Sequence, residues 1–183
     1  IVNTNARYLS EKCAMLGLAV YYQTTVGDNR ERMAGVIKTA LDRADMIILN
    51  GGLGPTEDDI TKEVCAEVMG ARLVEDPTVK AHLEEWYKLR MKSELPESNW
   101  GQALVPEGAV IFENHNGTAP GLAVEKDGKI AILLPGPPGE MYPMFEEQVC
   151  PYIQGKQSGI IRSQMIKICG FGESKVEEML LDL

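Results

Sequence analysis

Apolar residues recur at three- and four-residue spacing from Thr4 to Leu16, at Ala6, Leu9, Cys13 and Leu16, which predicts a helix closed by Gly17. The pattern then changes. Leu18 to Thr25 (LAVYYQTT) crowds branched and aromatic residues together and predicts a strand. Asp28 and Glu31 form a capping-box pattern with Asp as the cap, ahead of a helix that carries Met33, Val36, Ile37, Ala40 and Leu41 on one face. Met46 to Leu49 is apolar without alternation, which suits a strand buried on both faces. Helices are expected over Thr61 to Met69, with Gly70 as the stop, and from Pro77, with Val79, Leu83, Trp86 and Tyr87 inward. A turn-rich stretch follows, with a short helix near Ser98 to Ala103 and a strand at Val110 to Phe112. Leu122 to Glu125 and Lys129 to Leu134 flank Asp127-Gly128, a strong hairpin signal. A helix over Met141 to Val149, a strand over Met165 to Cys169 and a helix from Glu173 complete the chain.

This alternation predicts an α/β fold: three layers, a mostly parallel sheet with helices on both faces, plus a β-hairpin. The leading helix lacks the strand that should precede it, so the first strand is expected to be missing. The chain is expected to divide into a main domain over 1–155 and a linker with the start of a second small unit over 156–183.

Composition narrows the partners. With 44% hydrophobic and 25% charged residues among 183, the chain can bury a real core. A net charge of −9 argues against a nucleic-acid footprint but leaves a small anionic ligand open, because local donors decide that. No apolar run approaches the ~20 residues of a membrane span, so no membrane partner is expected. Cys13, Cys65, Cys150 and Cys169 form no CxxC and only two histidines exist, which disfavours zinc. Buried free thiols in a reducing cytoplasm are the expectation.

The candidate chemistry centres on LNGGLGPTEDDITKEV, Leu49 to Val64. A strand, a glycine-rich loop and a helix are how α/β proteins hold phosphate, with bare N–H groups and the helix N-terminus as donors. Gly51, Gly52 and Gly54 fit that placement. Two standard patterns fail: Lys62 comes too late for a Walker loop, and Glu57 stands where the dinucleotide fingerprint needs glycine. Glu57, Asp58 and Asp59 would repel phosphate unless they point away or a cation intervenes. A hard divalent ion takes one or two carboxylates plus phosphate oxygens, which gives the acids a metal reading. Helix capping by Asp58, Asp59 and Thr61 is the alternative. Pro135 to Glu140 offers a second strand-end loop and Asn116 to Gly121 a third. His115 reads as a surface histidine and His82 as structural.

The stretches IVNTNARYLSEKCAMLG, VGDNRERM, GGLGPTEDDITKEV, PESNWGQALVPEGA, GTAPG and LPGPPGEMYPMFEEQV together resemble the CinA family, the competence- and damage-inducible proteins. The resemblance covers nearly the whole chain and implies the family's N-terminal, molybdopterin-binding (MoaB/MogA-like) fold. It implies phosphate or substrate contacts at Gly51, Gly52, Gly54, Thr61, Asn5, Gly136 and Pro137, the second loop matching Pro135 to Pro138. Asn3-Thr4-Asn5 stands where the superfamily has Asp-Ser-Asn. Asp59 and Asp58 become the expected catalytic and metal-binding residues, with Mg²⁺, Mn²⁺ or Co²⁺ as cofactor. The implied activity is metal-dependent hydrolysis of a small-molecule nucleotide, ADP-ribose to AMP and ribose 5-phosphate. A homo-oligomer is implied as well. The alternatives are binding or adenylating molybdopterin, or a non-catalytic scaffold for a C-terminal nicotinamide mononucleotide deamidase domain.

Overall fold

The structure is a computed structural model that describes residues 2–157 and 167–181. Helices α1 (Thr4–Met15) and α2 (Arg30–Arg43) precede strand β1 (Met46–Asn50). Then come α3 (Thr61–Met69), β2 (Leu73–Glu75), α4 (Pro77–Trp86), β3 (Leu104–Pro106) and β4 (Val110–Phe112). The chain continues through β5 (Gly121–Lys126), β6 (Lys129–Leu134), α5 (Pro138–Met144), α6 (Cys150–Lys156) and α7 (Glu173–Leu180).

Most boundaries have a local cause. Asn3 caps α1 by accepting from the Ala6 N–H, and Asp76 caps α4 ahead of Pro77 at the first helical position. Gly70 ends α3 in the left-handed conformation. Asp127 and Gly128 both have positive φ (50° and 76°), as the two-residue turn between β5 and β6 requires. The cap of α2 is Asn29 rather than Asp28: its side chain accepts from the Arg32 N–H, one residue later than the sequence pattern places it.

The main sheet runs β1-β6-β5-β4. Its α/β layering is as expected, but the sheet is mixed. Only β1 and β6 are parallel among the described strands, while β6–β5 and β5–β4 are antiparallel. Tight connections force antiparallel neighbours, and only the long excursion from Gly51 to β6 allows a parallel pair. Alternate residues of β5 and β6 face opposite layers. Leu122, Val124, Ala131 and Leu133 pack with α2, α3 and α4. Ala123, Ile132 and Leu134 pack with α1, α5 and α6. Covering both faces buries Ala131 to Leu134 completely. β1 lies at the edge, so only Ile47 is buried there, less than its apolar run suggests.

Several expectations need correction. Residues 18–25 form no strand: they are unpaired, Tyr21 is exposed, and Tyr22 lies beneath the Arg43 guanidinium at 3.6 Å. Strand propensity needs a neighbour's backbone groups to become a strand. The helix read as Met141 to Val149 is part of a longer course, with a π-helical turn at Phe145–Val149 joining α5 to α6. The third concerns a pairing the pattern hid: β2 and β3 form a separate two-stranded antiparallel sheet. The Met165 to Cys169 strand falls partly outside the described residues, and 167–169 are not in a strand. Trp86 and Tyr87 are half-buried rather than core. Among the described residues no helix is long and apolar enough to cross a membrane.

Candidate functional site

Parallel pairing of β1 with β6 matches Asn50 with Leu134, so both strands end at the same edge. The glycine-rich loop leaves Asn50 and the second loop leaves Leu134, and they touch at backbone level. A Cβ on Gly136 would lie 3.5 Å from Gly51 Cα. The carboxyl ends of such strands are where α/β folds gather ligands.

Two asparagines lock the loops. Asn5 Nδ2 donates to Asn50 Oδ1 at 2.8 Å and to the Gly136 carbonyl at 2.7 Å. Asn50 Nδ2 donates to the Pro135 carbonyl at 2.7 Å. Asn5 Oδ1 is buried without a partner among the described residues. A buried acceptor left open awaits a donor. Asn5 sits in the first turn of α1, so that helix delivers a side chain to both loops.

The first loop folds over the start of α3. Gly51 and Gly52 have φ of 93° and 70°, which only glycine adopts easily. The Gly51 N–H is spent on the Leu134 carbonyl, and Gly52 accepts from the Thr61 N–H. The N–H groups of Gly52, Leu53 and Gly54 make no hydrogen bond among the described residues and remain as donors. A Cβ on Gly52 would overlap Thr61 Oγ1. Thr61 is therefore packed beneath the loop and buried.

The three acids separate by role. Glu57 and Asp58 are exposed, whereas Asp59 turns inward against Gly54. Asp59 Oδ2 accepts from the Thr56 N–H (3.1 Å) and from the Thr56 hydroxyl. It closes this turn and does not cap α3, whose N-cap, Ile60, has no side-chain hydrogen bond. The Thr56 hydroxyl, then its own backbone N–H, hold the Asp58 carboxyl below its ordinary value. That hydroxyl points its single proton at Asp59 Oδ2, so the two carboxylates compete for it.

Beyond Asp59 a cleft of about 180 Å³ opens. Its wall opposite the loop is the 3₁₀ helix Glu97–Ala103. Two bonds pin that wall in place: Gln102 Nε2 donates to the Leu53 carbonyl of the loop (3.3 Å), and Lys62 Nζ of α3 donates to the Gly101 carbonyl (2.6 Å). Lys62 is only 7% exposed, and burial pushes its pKa below the ordinary value. Sequence reasoning passed over it as a failed Walker lysine. The signal was there: Lys62, Cys65, Ala66 and Met69 follow helical spacing and all are buried, so a charge stands on the inward stripe.

The third loop is tied to the second. Asn114 Nδ2 donates to Glu140 Oε2 at 2.7 Å and to the Ala119 carbonyl at 2.8 Å. Pro143 has no N–H for the Gly139 carbonyl four residues back, and Asn116 Nδ2 fills that place at 2.9 Å. Pro137 is exposed at the start of α5. His115 is exposed, and His82 Nε2 lies 3.2 Å from the Gly117 carbonyl, a structural position.

The donor set suits a divalent ion in one mode. No cluster of three or more His, Cys, Asp or Glu side chains able to hold a metal occurs among the described residues. Asp59 Oδ1 and the ionised Asp58 remain. One or two carboxylates completed by ligand phosphates and water are what Mg²⁺ accepts, whereas a dedicated protein cage is not built here.

The thiols depart from the expectation in two cases. Cys13 and Cys65 are buried, but Cys150 is half-buried and Cys169 exposed, and all four are free. Burial pushes the Cys65 thiol up to about 12.

Comparison with known proteins places this geometry. Residues 1–155 match the family described as "Probable molybdopterin binding domain". A "Putative competence-damage inducible protein" of Caldicellulosiruptor saccharolyticus is 54% identical over all 183 residues. A "CinA-like protein" of Dictyoglomus turgidum is 49% identical over the same span. The chain spans 44% of the length of these curated relatives. The crystal structure of a CinA protein of unknown function from Thermoplasma acidophilum superposes with a TM-score of 0.74 at 32% identity, over 81% of this chain and 87% of that one. The molybdopterin biosynthesis enzyme MoaB of Thermus thermophilus shares the fold, with a TM-score of 0.50 at 21% identity, over 85% of this chain and 87% of that one.

Proposed function

Because this chain belongs to the family of the "Probable molybdopterin binding domain", and within it to the CinA-like proteins, we propose that it hydrolyses a nucleoside diphosphate sugar, ADP-ribose to AMP and ribose 5-phosphate. One observation carries this reading. Two strand-end loops meet at Gly51 and Gly136, with unspent N–H groups at Gly52 to Gly54 and the Asp59 carboxylate against Gly54 in the same loop.

Backbone donors bind the diphosphate without a charged side chain competing for the same oxygens. Asn5 fixes the spacing of the two loops, so the phosphates meet a preformed cradle. Asp59 and Asp58 would hold a divalent ion, which when bound neutralises phosphate charge and polarises the phosphoryl group. Water forms a new P–O bond as the bridging P–O bond breaks, and one phosphate departs with each product.

The test is AMP release from ADP-ribose by the full-length protein with Mg²⁺, Mn²⁺ or Co²⁺, against a chelator and beside Asp59→Asn. Asn keeps an acceptor for Thr56 and removes the charge. The expected result is chelator-sensitive turnover that falls by about a hundredfold in the variant with its melting temperature unchanged. Full turnover in Asp59→Asn would remove the acid from the reaction. A wild-type protein that turns over nothing but copurifies with a fluorescent pterin would move the reading to molybdopterin binding.

A further inference from the structure

Two of the free donors in the glycine-rich loop belong to peptide units whose carbonyls are held. The C=O and N–H of a trans peptide point in opposite directions, so holding one aims the other. No peptide bond among the described residues is cis. The Gly52 carbonyl accepts from the Thr61 N–H at 3.1 Å, which turns the Leu53 N–H away from α3. The Leu53 carbonyl accepts from Gln102 Nε2 at 3.3 Å, which turns the Gly54 N–H away from the 3₁₀ wall. The two holds differ in kind. Main chain secures the first unit. The second depends on one side chain, because Gln102 is the only partner of the Leu53 carbonyl among the described residues.

Gln102 is itself held for this task. It is 2% exposed, and burying an amide is unfavourable unless its polar atoms are paired. Its Oε1 accepts from Nδ2 of the buried Asn99 at 3.3 Å, which leaves Nε2 facing Leu53. Lys62 Nζ fixes the backbone one residue earlier, through the Gly101 carbonyl. The Leu53 side chain is anchored in the core, so the peptide unit after it is the part left to turn. Half a turn of that unit would change Leu53 ψ and Gly54 φ, and glycine accepts the new φ at little cost. A carbonyl oxygen would then stand where a donor had been, and it would repel phosphate. We propose that Gln102 is a positioning residue, which holds the Leu53–Gly54 peptide so that the Gly54 N–H faces the phosphate of the ligand. The assignment rests on the proposed function only for the presence of phosphate at this loop.

Nuclear magnetic resonance can watch this one peptide. With leucine labelled at its carbonyl carbon and glycine at its nitrogen, only Leu16–Gly17 and Leu53–Gly54 join the two labels in this sequence. The first is a control, since the Gly17 N–H is spent on the Ala14 carbonyl. The full chain is titrated with inorganic pyrophosphate and Mg²⁺, as wild type and as Gln102→Met, which keeps the length and removes the donor. In the wild type the Gly54 N–H signal should move downfield while Gly17 stays. In Gln102→Met the Leu53 carbonyl signal should shift before pyrophosphate is added, and the Gly54 response should vanish. Calorimetric affinity for pyrophosphate should fall about tenfold, the worth of one charge-assisted hydrogen bond. A role in stability alone would lower the melting temperature and leave the Gly54 response in place. No binding of pyrophosphate, a silent Gly54 in the wild type, or an undiminished Gly54 response in the folded variant would each overturn the assignment. If Gln102→Met does not fold, Gln102→Leu takes its place. Failure of the proposed function has a separate signature, an absence of AMP release from ADP-ribose while the pyrophosphate responses persist.

Discussion

Lys62 separates structural from functional placement at the scale of one residue. Taking a charge out of water is unfavourable, and a single carbonyl at 2.6 Å offsets only part of that cost. Replacement by the isosteric Met removes the desolvation and strands the Gly101 carbonyl, opposing effects of similar size. Lys62→Met should therefore melt within about 3 °C of the wild type, or above it. The pH dependence has a definite sign. Burial lowers the folded pKa, so the folded protein releases the Lys62 proton before the unfolded chain does. The penalty is complete below the folded value and fades as pH rises toward ~10.4. Melting curves from neutral pH to about 10 should show the wild type gaining on the variant. A thiol-reactive probe gives a second check at this scale: Cys169 should label first and Cys150 next, with Cys13 and Cys65 reacting only on unfolding.

Elements place the glycines in two classes. Gly52 has a positive φ and no room for a Cβ above Thr61. Gly52→Ala should cost about 1–3 kcal/mol in chemical denaturation and disturb the loop that faces ligand. Gly35 lies in the interior of α2 with open space around it, so Gly35→Ala should stabilise by about 0.5–1 kcal/mol. If the two changes had similar effects, the loop would not have the tight geometry described. The docking of α1 also matters, because Asn5 bridges the loops from its first turn. Its flank is held by the stack of Tyr8 on Tyr142 (3.8 Å between ring centres) and by Glu146, which meets both Lys12 and the Tyr8 hydroxyl.

At the scale of the whole molecule, the two buried clusters end at Ile153, and α7 buries no residue among those described. A chain ending at Gln157, which keeps the bond from its Nε2 to the Leu16 carbonyl, should melt within about 2 °C of the longer chain. A larger fall would mean that the last segment supports the core.

What the sequence determined by itself is local. Helix periodicity, the Asp127-Gly128 turn, the stop at Gly70 and the glycine-rich loop after an apolar strand are each written within a few residues, where backbone preference and capping act. The family resemblance added Asn5 to the candidate set and gave the loop around Gly136 a ligand-binding role. Tertiary structure alone decided the rest, because the deciding interactions join residues far apart in the chain. Residues 18–25 carry strand propensity yet stay unpaired, since a strand exists only where another backbone answers it. Asp59 looked like a helix cap or a metal ligand, and only the folded loop shows its carboxylate closing the turn at Thr56. Asn50 and Gln102 had no recognisable motif, for their partners lie 85 and 49 residues away. Lys62 differs from both: its inward face was legible from helical spacing, but the carbonyl it meets and the cleft it lines come from a turn 39 residues on.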